Sequence, residues 1–228
     1  MTQVLISFSP AAVRFLTDTV LYDPTDNCAV GLCGPKAEIS PAGRMAWAAR
    51  GLTLHGDHAD RVLHRARGID AALEAAPALV KSMEAWGWPV SIEVFLAGWS
   101  DAAGALRLVR IVRDDRSRLP LTVTNMPPGI HVAGAPETLT KAIAAKGVVE
   151  ADEALLVKLA GAQWRWNRDT AGGQFAIGGA LHLTELTAAG CARWVAGTHP
   201  DYDDLAARFV CPIADEVAAH RAPMAVAA

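Results

Sequence analysis

Threonine stands directly behind the initiator methionine, in MTQVLISFSPAAVRFLTDTVLY. Without Met1, Thr2 would carry its hydroxyl and a free α-amine on adjacent carbons. A threonine hydroxyl is a weak nucleophile until something takes its proton. An α-amine, whose unperturbed pKa is about 7.7–8.0, can take it directly or through one water. With Met1 in place the nitrogen lies in a peptide bond, and neither base nor free end exists. Asp18 follows in the next apolar run, where a carboxylate invites a partner, or faces water at a sheet edge.

The other cluster with chemical potential is HGDHADRVLH, with His55, His58 and His64 beside Asp57 and Asp60. His58 and His64 fall on different faces of a helix, and no HExxH spacing occurs, so a metal-dependent hydrolase around His55 and His58 ranks far behind the threonine. Asp57 reads as a helix N-cap. The glycines of AGGQFAIGG have neither phosphate-loop nor dinucleotide spacing, and the four cysteines (Cys28, Cys33, Cys191, Cys211) form no CxxC pair, so they read as reduced thiols. No metal and no cofactor are expected. The seven tryptophans, with pairs at Trp86/Trp88 and Trp164/Trp166, read as core packing or a subunit interface.

These residues must be held by the elements around them. The chain has 228 residues, 52% hydrophobic, with a net charge of −3, enough to bury a substantial core and without the basic footprint of a nucleic-acid or anionic-membrane binder. No stretch approaches the roughly eighteen apolar residues of a membrane span, and the N-terminus lacks the pattern of a signal peptide, so the expected compartment is the cytoplasm. Residues 3–8 and 12–22 read as a hairpin around Ser9-Pro10. Because the apolar run through Val13, Phe15, Leu16, Val20 and Leu21 is too continuous for a strand wet on one face, its second strand belongs at the centre of a sheet. A turn-rich loop follows, with a short extended piece at Lys36–Ile39, then a strand RMAWAARG closed by Gly51. From Asp57 helical spacing takes over, interrupted at Gly68 and Pro77. Strands VSIEVFLAG, ALRLVRIVRD, LTVTNM and IHVAGA come next, then a helical stretch through QWRW, a strand FAIGGALHLTEL, and a closing helix or helix pair in LAARFVCPIADEVAAHR.

The order of strands, helices, strands, helices, strand and helix argues for an α+β fold of antiparallel sheet with segregated helices, and against parallel βαβ units. We expect a single domain over residues 1–228 with a loose tail from 222 to 228.

Taken in order, Thr2, Asp18 within FLTDT, Lys36, RMAWAARG, VFLAGWSDAAGALRLVRI, HVAGAPETL and RDTAGG before FAIGGALHLTEL resemble the proteasome β subunits and their smaller bacterial relatives, N-terminal-nucleophile hydrolases. The resemblance implies a four-layer αββα sandwich of two antiparallel sheets flanked by helices, a threonine nucleophile acting on a peptide or small amide, and assembly into a homo-oligomeric ring through helices of the 57–84 region. It implies that Lys36 favours the neutral amine and the developing alkoxide, that Asp18 holds Lys36, and that the Gly51 N–H donates to the oxyanion. Asp169 takes the place of the family's later aspartate. The sequence departs from the family pattern in two respects. Lys36 lies two positions further from Thr2 than the family's lysine, and the serines that assist the amino terminus are replaced by Ala135 and Gly172. The alternative is therefore a catalytically silent, ring-forming scaffold of the same fold.

Overall fold

The computed structural model describes residues 3–23, 28–51, 53–86, 89–133, 140–143, 147, 149–170 and 177–222. Strands β1 (Val4–Phe8) and β2 (Ala12–Asp18) form the expected hairpin, and both are almost wholly buried. The Ser9 N–H donates to the Ala12 carbonyl at 2.9 Å, closing the turn at Pro10. β2 is the middle strand of a five-stranded antiparallel sheet ordered β10-β1-β2-β11-β12, where β10 is Gly129–Ala133, β11 Ala180–Thr187 and β12 Gly190–Thr198.

The run expected to be continuous through Tyr22 breaks at Thr19. There the Thr19 hydroxyl accepts from the Ala180 N–H at 2.9 Å and its carbonyl accepts from the Cys33 N–H at 2.8 Å. Beyond the break β3 (Val20–Tyr22) leaves the sheet and pairs with β4 (Ala29–Leu32).

A second five-stranded antiparallel sheet follows the order β5-β6-β7-β8-β9, from β5 (Ala37–Ile39) and β6 (Met45–Gly51) to β7 (Ser91–Ser100), β8 (Ala105–Asp114) and β9 (Leu119–Asn125). Helices α1 (Thr53–Leu63) and α2 (Ile69–Glu84) lie between β6 and β7 in sequence. Asp57 falls inside α1, which begins at Thr53, so it is not the N-cap expected from the sequence. Gly68 does separate the two helices, but Pro77 lies within α2 without ending it. The later helices are α3 (Glu153–Thr170), α4 (Tyr202–Arg208) and α5 (Ala214–Arg221). Strand β12 was not anticipated; GCARWVAGT is rich in small residues and lacks a clean alternation, and pairing with β11 along its whole length makes it a strand.

Three sets of contacts order these elements. Val4, Ile6, Phe8 and Phe15 of the first sheet meet Ala46, Ala48, Phe95 and Leu108 of the second. Leu5, Leu16 and Leu183 pack instead with Leu156 and Ala160 of α3. On the second sheet, Met45, Trp47, Leu96 and Val109 pack with Leu63, Ile69, Leu79 and Met83 of α1 and α2. Period-two alternation explains the partition, since neighbours along β1 and β6 contribute to opposite faces. The molecule is thus a mixed fold of antiparallel sheets and helices. No helix among the described residues is long and apolar enough to cross a membrane.

Candidate functional site

Asp18 ends β2, and its side chain is fully buried. A buried carboxylate must be matched by donors, and this one has three. The Lys36 ammonium lies 2.8 Å from Oδ1, the Gln3 N–H donates to the same oxygen at 3.0 Å, and the Gly178 N–H donates to Oδ2 at 3.2 Å. Lys36 comes from the residue just before β5 and is held a second time by the Val20 carbonyl at 2.6 Å. With its side chain only 11% exposed, the pair is an enclosed ion pair. Asp18 therefore fixes Lys36 and the first described residue of the chain at one point.

Thr2 lies outside the described residues, as do Ala135 and Gly172. Gln3, its neighbour, is pinned in both backbone and side chain. The Gln3 amide donates to the Ala160 carbonyl and to Gln163 Oε1, each at 3.1 Å, while its Oε1 meets His199 Nε2 at 2.9 Å. Gln163 in turn donates to the Ala133 carbonyl at 3.2 Å. The His199 ring stacks on Trp164 at 6.0 Å between centroids, and burial depresses its pKa to about 4, so it is neutral near pH 7.

Asp201 completes this buried bed. Its carboxylate accepts from Trp164 Nε1 and from the Gly179 N–H, both at 3.1 Å, and desolvation raises its pKa above the ordinary carboxylate value. The consecutive glycines are required here: a Cβ on Gly178 would lie 2.5 Å from Asp201 Oδ2, and one on Gly179, at φ +79°, 2.6 Å from the Thr19 hydroxyl. Only glycine lets the backbone come close enough for the Gly178 N–H to reach Asp18.

Gly51 ends β6 and is exposed. Ala37 pairs with Ala48, so Lys36 and Gly51 belong to the same end of the second sheet. Gly51 has φ +130°, and a side chain there would collide with the Ser91 carbonyl oxygen, so no other residue fits without a shift. Asp169 is exposed near the end of α3, outside the hydrogen-bond set of Asp18. The structure thus joins Asp18 to Lys36, brings Gly51 to the same sheet end as Lys36, and leaves Asp169 apart from the pair.

The sequence reading missed Gln3, Gln163, His199 and Asp201. Gln3 carried a signal, a lone amide at the head of an otherwise apolar strand. The other three come from distant parts of the chain and acquire meaning only by meeting it.

The histidine cluster has other duties. His58 Nε2 and the Ser82 hydroxyl lie 2.6 Å apart, and His55 Nδ1 is 3.3 Å from the Ser91 carbonyl. Among the described residues no group of three or more His, Cys, Asp or Glu is placed to hold a metal ion.

No protein-family model matches the sequence. No curated protein matches it either. Among solved structures the chain is similar to Anbu (ancestral beta-subunit) from Yersinia bercovieri, with a TM-score of 0.59 over 90% of this chain and 91% of that one. Identity is 13%, so the likeness is one of fold alone.

Proposed function

We propose that the protein is a threonine peptidase or amidohydrolase in which Thr2, once Met1 is removed, is the N-terminal nucleophile. The single observation that carries this reading is the convergence of Lys36 Nζ and the Gln3 N–H on one buried oxygen of Asp18, at 2.8 and 3.0 Å. It holds an ammonium beside the residue that follows Thr2. In the proposed reaction the α-amine takes the hydroxyl proton, directly or through water, and Thr2 Oγ adds to the substrate carbonyl. Lys36 stabilises the developing alkoxide, and the Gly51 N–H donates to the oxyanion. The C–N bond then breaks, the amine leaves with the proton, and water hydrolyses the ester left on Thr2. Asp169 is assigned the place of the family's later aspartate.

In the same reading the chain is a single domain, its two sheets stack face to face in a four-layer αββα sandwich, and copies assemble into a cytoplasmic homo-oligomeric ring. Sedimentation at micromolar concentration should then show a species much heavier than the 24.0 kDa chain. The deciding experiment is labelling: protein shown by intact mass to lack Met1 should gain the mass of one threonine-directed covalent electrophile. Thr2→Ala should gain none, and Lys36→Met should label far more slowly. An inert but assembled Met1-free protein would favour the second reading, a silent scaffold, for which the hydroxyl-free Ala135 and Gly172 speak.

A further inference from the structure

Along β2 and β11, side chains alternate between the two faces of the first sheet. Val13 and Phe15 of β2 and Leu186 of β11 pack against the second sheet, while Leu16, Leu181 and Leu183 pack under α3. By the same period of two, Thr17, His182 and Thr184 belong to the face turned toward the second sheet. The register agrees, with Val13 opposite Leu186, Phe15 opposite Thr184 and Thr17 opposite His182. An apolar face thus passes into three polar residues, all fully buried. Thr17 Oγ1, Thr184 Oγ1 and both ring nitrogens of His182 have no hydrogen-bond partner among the described residues. A buried polar atom without a partner carries a desolvation cost that nothing offsets, and four of them on adjacent strands call for an explanation.

The second sheet offers these atoms nothing. β2 lies against β5 and β11 against β6, and the residues those strands send into the shared cluster are Ala37, Ala46 and Ala48. A methyl group neither donates nor accepts, and it reaches less far from its strand than the side chains that fill the rest of the gap. Charged groups nearby do not complete the set. Arg193 of β12 donates to the Ala37 carbonyl at 2.8 Å, and the Glu216 carboxylate of α5 stands 3.9 Å from His182 Nε2, beyond hydrogen-bond reach. Burial lowers the His182 pKa to about 4, so the ring is neutral near pH 7. Two hydroxyls and a neutral imidazole match a small uncharged partner that both donates and accepts.

We propose that Thr17, His182 and Thr184 form a binding site for ordered internal water between the two sheets. Directly opposite residues of an antiparallel pair have Cβ atoms about 4.5–5.5 Å apart, so one water joins Thr17 to a ring nitrogen of His182. Thr184, two residues further along β11, serves a second water at the other nitrogen. Counting its neighbour, each water has the two to four partners that hold a buried water in place. Thr17 immediately precedes Asp18, so the site adjoins the Asp18–Lys36 pair without sharing its hydrogen bonds. It stands whether or not Thr2 reacts.

The test uses the full-length protein near neutral pH. Thr17→Val and Thr184→Val keep the side-chain shape and exchange the hydroxyl for a methyl group. Where the hydroxyl holds a water, the change breaks a hydrogen bond and should lower the urea midpoint by about 0.5 M. Where the hydroxyl is dry, the same change removes an unmatched buried group and the midpoint should rise. Crystals of the unaltered protein give a readout that needs no variant. Electron density should lie within hydrogen-bond reach of His182 and of each threonine, and it should carry no anomalous signal when bromide replaces chloride. A midpoint that fails to fall at either threonine, or a site without density, would overturn the assignment. A bromide signal would overturn it in favour of a small anion. Should a valine variant fail to fold, the crystals decide alone.

Discussion

The helix-packed faces of the two sheets are built on opposite plans. Under α1 and α2 the second sheet presents Met45, Trp47, Leu96 and Val109 to Leu63, Ile69, Leu79 and Met83, an apolar cluster whose strength comes from removing side chains from water. Under α3 the first sheet begins in the same way, with Leu5, Leu16 and Leu183 on Leu156 and Ala160. Toward the end of the strands the apolar residues give way to Gln3, Gln163, His199, Trp164 and Asp201, all buried or nearly so and linked by hydrogen bonds. An apolar face tolerates small shifts at low cost; a buried polar network tolerates none, because each lost partner leaves an unsatisfied group. The chain places its orientation-dependent contacts around Gln3 and the Asp18–Lys36 pair, and packs apolar side chains under α1 and α2.

The largest expected effect strikes the polar end. Asp18→Ala strands the buried Lys36 ammonium and two backbone N–H groups, and it should cost about 3–5 kcal/mol, read from the urea unfolding midpoint. A loss below about 1 kcal/mol would show that the pair is not the fixed point described here.

Acid comes next. His199, and His182 on β11 with both ring nitrogens unpartnered, have pKa values lowered by burial to about 4. Arg193 reinforces the shift at His182, while the Glu216 carboxylate, 3.9 Å away, is more than half exposed and does not offset it. In the folded state each histidine binds fewer protons than when unfolded. Their stabilisation is therefore complete above the ordinary pKa of about 6.5 and is lost as pH falls toward 4, by on the order of 3 kcal/mol for each. Urea midpoints measured from pH 7.5 down to 4.5 should fall steeply below pH 6.5, and His199→Gln should flatten part of that slope.

A matched pair of near-isosteric changes sharpens the contrast. Gln3→Met leaves His199 and Gln163 without their partner and should cost about 1–3 kcal/mol. Met83→Leu, in the apolar cluster, should cost less than about 1.5 kcal/mol. Equal costs would mean that the polar network adds no positional constraint. At the surface, Arg221→Ala removes the exposed pair with Asp203 at 2.6 Å, and its effect should stay within about 1 kcal/mol.

Residue pattern alone determined the β1–β2 hairpin, the central place of β2, the helical stretch from Asp57 and the antiparallel character of the sheets, because apolar periodicity and turn residues are local properties. The pairing of Asp18 with Lys36 came from the family resemblance, since taken singly the two read as an edge aspartate and a solvated turn lysine. Only tertiary structure decided that β12 is a strand, since its ladder with β11 supplies what its composition lacks. The start of α1 before Asp57 and the survival of α2 through Pro77 were likewise set by packing on the second sheet, which outweighs a capping preference and one missing hydrogen bond. The meeting of Gln3, Gln163, His199 and Asp201 could not be read from the chain, although Gln3 stood out as a lone amide at the head of an apolar strand. The other three are ordinary polar residues in their own segments, and folding alone brings them to Gln3.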